Sequence, residues 1–190
     1  HGIEAYALEN NLGLAGFDII VASGKNSSMP HAAPSDKVIN RREMVIIDLG
    51  AMHSGYNSDL TRTVFLGKIS HKYLRTYTIV LASQSIAIES LKPGVYAKDI
   101  DAVSRQYISD RGMGSFFLHS LGHGIGRETH EIPAISQNSK TRLEKGMVVT
   151  VEPGVYIPGW GGIRIEDTVL ITKNGCEVLT KGAVKYAGRN

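Results

Sequence analysis

Two stretches of this chain are apolar, β-branched runs interrupted by turn formers: VIIDLGAMHSGYNSDLTRTVFLG, within Met44 to Gly67, and MVVTVEPGVYIPGWGGIRIEDTVLI, from Met147 to Ile171. Each reads as a strand that folds back on itself. Between them the period changes. From His71 to Leu91, the residues Leu74, Tyr77, Leu81, Ile88 and Leu91 share one helical face, and Lys92, Pro93 and Gly94 end the run. A second helix is predicted over Ala97 to Arg111, with Ile100, Val103, Tyr107 and Ile108 inward and Gly112 at the stop position. Residues 1 to 14 read as the tail of a helix, GFDIIVASG as a strand closed by Gly24, and KNSSMPHAAPSDKVI as a loop in which Pro30 and Pro34 bracket His31. FFLHSLGHGIGRETHEIP reads as a strand entering a glycine-rich loop. Hairpin, two helices, strand and loop, then hairpin predict an α+β fold with helices packed on one face of a curved antiparallel sheet.

The two hairpins carry acids where a sheet tolerates them least. Asp48 follows Val45, Ile46 and Ile47, and Glu152 follows Val148 to Val151. The midpoint between Asp48 and Asp59 falls beside Ser54 and Gly55, and that between Glu152 and Glu166 falls on Gly159. Folding at those points sets each pair of acids face to face. Like charges directly opposed across strands destabilise a sheet, and carboxylates are almost never buried without a partner. Two such pairs point to bound cations. By strand parity Glu152 shares a side with Tyr156 and Glu166 with Arg164, while Asp167 points to the other face. An Arg or Tyr beside a metal site can bind a substrate carboxylate or steady an oxyanion.

Three histidines follow in one short segment. His123 lies among Gly122, Gly124 and Gly126, which let a ligand approach closely, and joins the four acids as a fifth candidate ligand. His119 and His130 are better placed to handle substrate or protons. Four carboxylates to one imidazole form an oxygen-rich set, suited to manganese, iron(II) or cobalt rather than to a cysteine-based structural zinc. That many acids balance two divalent ions better than one, and such a pair can generate hydroxide at neutral pH and stabilise a tetrahedral oxyanion.

Bulk properties narrow the field further. With 190 residues, 42% hydrophobic and 21% charged, the chain can bury one substantial core, and no stretch approaches the roughly 18 apolar residues of a membrane span. The net charge of +3 is scattered, which argues against a nucleic-acid surface. A single cysteine, Cys176, excludes an internal disulfide and favours a reducing, cytoplasmic home. No GxSxG elbow occurs, and GHGIG has the spacing of neither a dinucleotide nor a Walker phosphate loop. The absence of an initiating Met leads to the expectation that the chain is a piece of a longer protein.

At these motifs the sequence resembles the metal-dependent aminopeptidase and prolidase family with the pita-bread fold, and most closely its Xaa-Pro branch. The carriers are IVASGKNSSMPHAAPSD, DLGAMHSGYNSDLTRT, LGHGIGRETHEIP, TVEPGVYIPG and GIRIEDTVLIT, which together cover nearly the whole chain. The resemblance implies a single catalytic domain over residues 1 to 190, without the N-terminal domain of longer members. It implies two divalent ions, manganese or cobalt with iron(II) or zinc as alternatives, held by Asp48, Asp59, His123, Glu152 and Glu166. Asp59 and Glu166 would bridge them, Asp48 would bind one, and His123 with Glu152 the other. It implies hydrolysis of the amide before proline by a metal-bridging hydroxide, with Glu152 as proton acceptor. His31 would stand near the scissile bond and deliver a proton to the leaving nitrogen, and His130 would contact the tetrahedral intermediate. His119, Tyr156 and Arg164 would sit on the substrate side. The partners implied are small peptides, with no nucleic acid or membrane, and a homodimer is the assembly allowed. Methionine aminopeptidase and a non-catalytic pita-bread peptide-binding module are the rival readings. Arg164, two residues before the last ligand, favours the Xaa-Pro branch.

Overall fold

A computed structural model describes residues 2–185. The chain opens with α1 (Gly2–Glu9), β1 (Gly13–Leu14) and β2 (Ile20–Ser23). Next come β3 (Met44–Leu49), β4 (Ala51–His53), β5 (Tyr56–Asn57) and β6 (Leu60–Phe65). The helices α2 (His71–Ser90) and α3 (Ala97–Ser109) follow. The second half holds β7 (Gly122–Gly124), β8 (Glu131–Ile135), β9 (Val148–Val151), β10 (Gly154–Ile157), β11 (Gly161–Arg164), β12 (Asp167–Ile171) and β13 (Cys176–Val178). All paired strands are antiparallel, in sheets ordered β2-β3-β6, β13-β12-β9-β7-β8, β10-β11 and β1-β4-β5.

Both hairpins turn where the sequence places them. Ser54 and Gly55 take positive φ of 51° and 78°, and Gly159 turns at 75°, conformations that tight hairpins require. The register of the first differs from the expected one: Asp48 lies opposite Thr61, so Asp59 is a diagonal neighbour and not a facing one. The turn sets this register, because Ser54 and Gly55 occupy both central positions and the strands pair outward from His53 and Tyr56. In the second hairpin, Val151 faces Asp167 and Gly154 faces Arg164, so the count places Glu152 against Glu166. The ladder opens at that point. The Glu152 N–H donates to the Leu121 carbonyl at 2.8 Å and the Glu166 N–H to the Thr61 carbonyl at 3.1 Å. The acids therefore sit where the strands part and borrow hydrogen bonds from neighbouring segments.

The helices pack against this framework through α2. Tyr73 and Tyr77 are fully buried beside Phe65, with ring centroids 4.7 and 5.7 Å apart along the series. The buried face of α2 differs from the predicted one. It comprises Tyr73, Thr76, Tyr77, Ile79, Val80, Ser83, Gln84 and Ala87, while Leu74 is 41% exposed. Polar groups occupy the face because each finds a partner: the Ser83 hydroxyl meets Ser104 of α3 at 2.6 Å, and Gln84 Nε2 donates to the Val151 carbonyl at 3.0 Å. Likewise α3 buries Asp101 and Ser104 beside Ile100 and Ile108, leaving Val103 38% exposed. The expected strand over FFLHSLG is instead a 3-10 turn at Gly114–Phe116 leading to the short β7. A Cβ on Gly122 would lie 2.0 Å from the Thr150 carbonyl oxygen, so only glycine lets β7 approach β9 this closely.

Candidate metal centre

The break in the second hairpin and the open end of the first converge on one point. Asp59 is 5% exposed, Glu166 is buried, and Glu152 and Asp48 line the same cavity. His123 reaches them from β7. Its Nδ1 contacts the Gly124 carbonyl at 3.0 Å; a carbonyl can only accept, so Nδ1 carries the proton and Nε2 keeps its lone pair. That Nε2 lies 3.5 Å from Glu152 Oε1 and 3.7 Å from Asp59 Oδ2. Donor atoms of Asp59, His123 and Glu166 all fall within 4.8 Å of one another.

Electrostatics make this cluster costly without a cation. Burial raises Glu152, Glu166 and Asp59 above the usual carboxylate range; neighbouring acids add to the rise, while Arg164 opposes it at Glu152 and Asp59. Burial lowers the His123 imidazole, favouring the neutral form that ligates metal. Asp48 Oδ1 and Glu166 Oε1 are buried with no hydrogen-bond partner among the described residues. Buried carboxylate oxygens without a partner, in one cluster with a neutral imidazole, fit a divalent metal. Asp48 lies apart from the tightest trio: its Oδ2 is 2.6 Å from Arg164 Nη2.

The accessory residues divide into two groups. Arg164, only 3% exposed, spends four N–H groups internally. Besides Asp48, it donates to the Tyr156 hydroxyl at 2.7 Å, the Pro30 carbonyl at 3.1 Å and the Thr61 hydroxyl at 3.2 Å. Tyr156 OH in turn lies 2.8 Å from His119 Nε2, whose ring donates from Nδ1 to the Ser120 carbonyl. Burial pushes the His119 pKa down to about 4, so it accepts the tyrosine proton as a neutral ring. Arg164 and Tyr156 thus face each other on the side of the acids, the side strand parity gives them. His31 and His130 are exposed, and both border the cavity; the His130 ring centroid is 4.2 Å from that of His123. The cavity measures about 590 Å³ and continues over Phe17, Ile19, Ile20, Pro30 and Ala134.

Other contributors carry no motif. On α3, Arg105 pairs with Asp101 and donates to the His119 and Phe117 carbonyls, and Asp101 accepts the Leu121 N–H at 3.1 Å. The pair holds the segment between His119 and His123 in place. Thr150 accepts the His123 N–H at 3.1 Å, and the Thr61 hydroxyl lies 2.7 Å from Glu166 Oε2. Thr61 was within reach of the parity rule that singled out Arg164, since it lies two residues beyond Asp59. Asp101 and Arg105 read in sequence only as an ordinary i,i+4 surface pair.

Comparison with known proteins agrees with this geometry. An Xaa-Pro dipeptidase of Pyrococcus furiosus is 54% identical over 165 residues, covering 87% of this chain and 47% of that protein. The solved prolidase from Pyrococcus furiosus superposes with a TM-score of 0.90 at 51% identity, over 94% of this chain and 53% of the other. An Xaa-Pro dipeptidase from Bacillus anthracis gives 0.92 at 46% identity, over 97% and 52%. The chain therefore spans about half the length of the relatives it matches, and the shared architecture is the pita-bread fold. The model of metallopeptidase family M24, a family that works with divalent metals, matches residues 2–173, and with the acids and imidazole converging as described, the chain belongs to that family.

Proposed function

We propose that this chain carries the catalytic centre of a metal-dependent exopeptidase that hydrolyses the bond between an N-terminal residue and proline in dipeptides or short peptides. The observation that supports it best is the buried acid cluster, in which donor atoms of Asp59, His123 and Glu166 lie within 4.8 Å of one another and Asp48 Oδ1 and Glu166 Oε1 are buried with no hydrogen-bond partner among the described residues. In this reading Asp48, Asp59, His123, Glu152 and Glu166 hold two divalent ions, manganese or cobalt. Bound there, the ions would supply Lewis acidity toward a water and a carbonyl oxygen. The protein residues do the rest.

Glu152 Oε1, beside His123, takes the proton released by the attacking water. His130, whose ring centroid lies 4.2 Å from that of His123, steadies the developing oxyanion from the cavity side. An amide nitrogen bonded to proline has no hydrogen of its own, so its departure needs a proton delivered. His31 is the donor in this reading, held at the cavity wall because the neighbouring Pro30 carbonyl is fixed by Arg164. His119, Tyr156 and Arg164 form one connected chain that holds Asp48 in place and orients the substrate side. Apolar walls at Phe17, Ile19 and Ile20 suit the proline ring. The Pyrococcus furiosus relative is an Xaa-Pro dipeptidase, which supports this substrate class. Residues 1–190 act as one catalytic unit, in a reducing, cytoplasmic setting and with a homodimer as the assembly.

The test is a peptide panel on protein stripped of metal and reloaded with Mn²⁺ or Co²⁺. Cleavage of Ala-Pro is expected, with loss on chelation. Preference for Met-Ala-Ser would move the assignment to methionine aminopeptidase, and binding without cleavage would make the domain a peptide-binding module. Cleavage of dipeptides alone marks a prolidase; cleavage of longer Xaa-Pro peptides marks an aminopeptidase.

A further inference from the structure

Thr61 links the two hairpins by side-chain hydrogen bonds at the acids. It lies opposite Asp48 in the first hairpin, and its side chain is fully buried. Its hydroxyl has a single proton, and that proton goes to Glu166 Oε2 at 2.7 Å. The hydroxyl oxygen, Thr61 Oγ1, accepts from Arg164 Nε at 3.2 Å, while Arg164 Nη2 grips Asp48 Oδ2 at 2.6 Å. One hydroxyl therefore connects Glu166 to the cation that holds Asp48. The direction of these bonds follows from the partners: a guanidinium only donates, so Thr61 Oγ1 accepts from Arg164 and its own proton is left for Glu166 Oε2.

We propose that Thr61 is a positioning residue that fixes the Glu166 carboxylate in the orientation leaving Oε1 free for a cation, and locks it in register with Asp48 through Arg164. The role rests on the metal-centre reading given above. A hydroxyl bond to one carboxylate oxygen selects one rotamer and leaves the second oxygen, buried and otherwise unpartnered, pointing at the site. The second hairpin contains a weaker counterpart. Thr150 accepts the His123 N–H at 3.1 Å and donates to Glu152 Oε1 at 3.4 Å, too long for a firm bond. The burden of alignment therefore falls on Thr61.

Thr61→Val keeps the shape and removes the hydroxyl, leaving Glu166 Oε2 and Arg164 Nε without this partner. Thr61→Ser restores the hydroxyl with less bulk. Metal-free wild type, T61V and T61S would be titrated calorimetrically with Mn²⁺, and the visible spectra of their Co²⁺ forms recorded. T61V is expected to bind about tenfold or more weakly with an altered Co²⁺ spectrum, and T61S to recover most of the affinity and the wild-type spectrum. Wild-type affinity and spectrum in T61V would overturn the proposal. So would equal losses in T61S and T61V, which would assign the effect to packing. A wild type that takes up no metal would overturn the parent reading of the site; a wild type that binds while T61V binds equally well overturns only the role of Thr61. Should T61V fail to fold, T61S decides: affinity and spectrum near wild type support the hydroxyl's role, and a loss overturns it.

Discussion

His119 illustrates how one side chain's surroundings set its chemistry. The ring donates to the Ser120 carbonyl and accepts from Tyr156, and burial holds its pKa near 4, against an ordinary 6.5. The unfolded chain binds a proton between these values that the folded chain refuses, so stability from this group rises with pH across the window and is lost as pH falls from 6.5 towards 4. An NMR titration should find the His119 signal unmoved near 6.5 and titrating only near 4. A His119→Gln variant should show a flatter dependence of melting temperature on pH over that range. At this scale the sequence was legible where a residue's type limits its role. Asp48, Asp59, His123, Glu152 and Glu166 stood out as acids and an imidazole in apolar or glycine-rich settings. Arg164 was also visible, but its partners were not, because strand parity reports a face and says nothing of what stands opposite it.

Among the elements, β7 has the narrowest tolerance. It is three residues long, it carries His123, and its glycines allow backbone contact with β8 and β9. Gly122→Ala would drive a Cβ to 2.0 Å from the Thr150 carbonyl oxygen, and backbone cannot yield as a flexible side chain can. A loss of about 1–3 kcal/mol is expected from overpacking, read by urea denaturation, together with weaker metal uptake as His123 moves. Full retention of both would show that β9 can shift freely. The hairpins and both helices were readable from periodicity, because a period of 2 or 3.6 is set by backbone geometry alone. The inward faces of α2 and α3 were less so. Ser83, Gln84, Asp101 and Ser104 are polar and buried, which a hydrophobic template scores as outward. Their burial depends on partners in other elements: Ser104 for Ser83, the Val151 carbonyl for Gln84 and the Leu121 N–H for Asp101.

Across the whole molecule, the two hairpins are tied together behind the acids by Arg62. Its guanidinium donates to the Glu166, Thr61 and Ala183 carbonyls and pairs with buried Asp167 at 2.8 Å. Asp167 also meets Thr180 and Lys185, so the end of the described chain is fastened to the same point. Removing one partner of a buried pair strands the other charge. Arg62→Leu should cost about 3–5 kcal/mol in chemical denaturation, and a cost near zero would show that Lys185 alone satisfies Asp167. Among the described residues, no helix is long and apolar enough to cross a membrane.

The sequence by itself determined the two hairpins, the two long helices, the turn positions and the identity of the acids, because these follow from local backbone preference and from the high cost of charge in apolar strands. Tertiary structure decided the register offset of Asp48 and Asp59, the break that frees Glu152 and Glu166 from their ladder, and the network joining Thr61, Arg164, Tyr156 and His119. Those features depend on groups up to 116 residues apart in sequence, as in the Arg164–Asp48 pair. Only the closure of the two hairpins against one another brings such groups within hydrogen-bond reach.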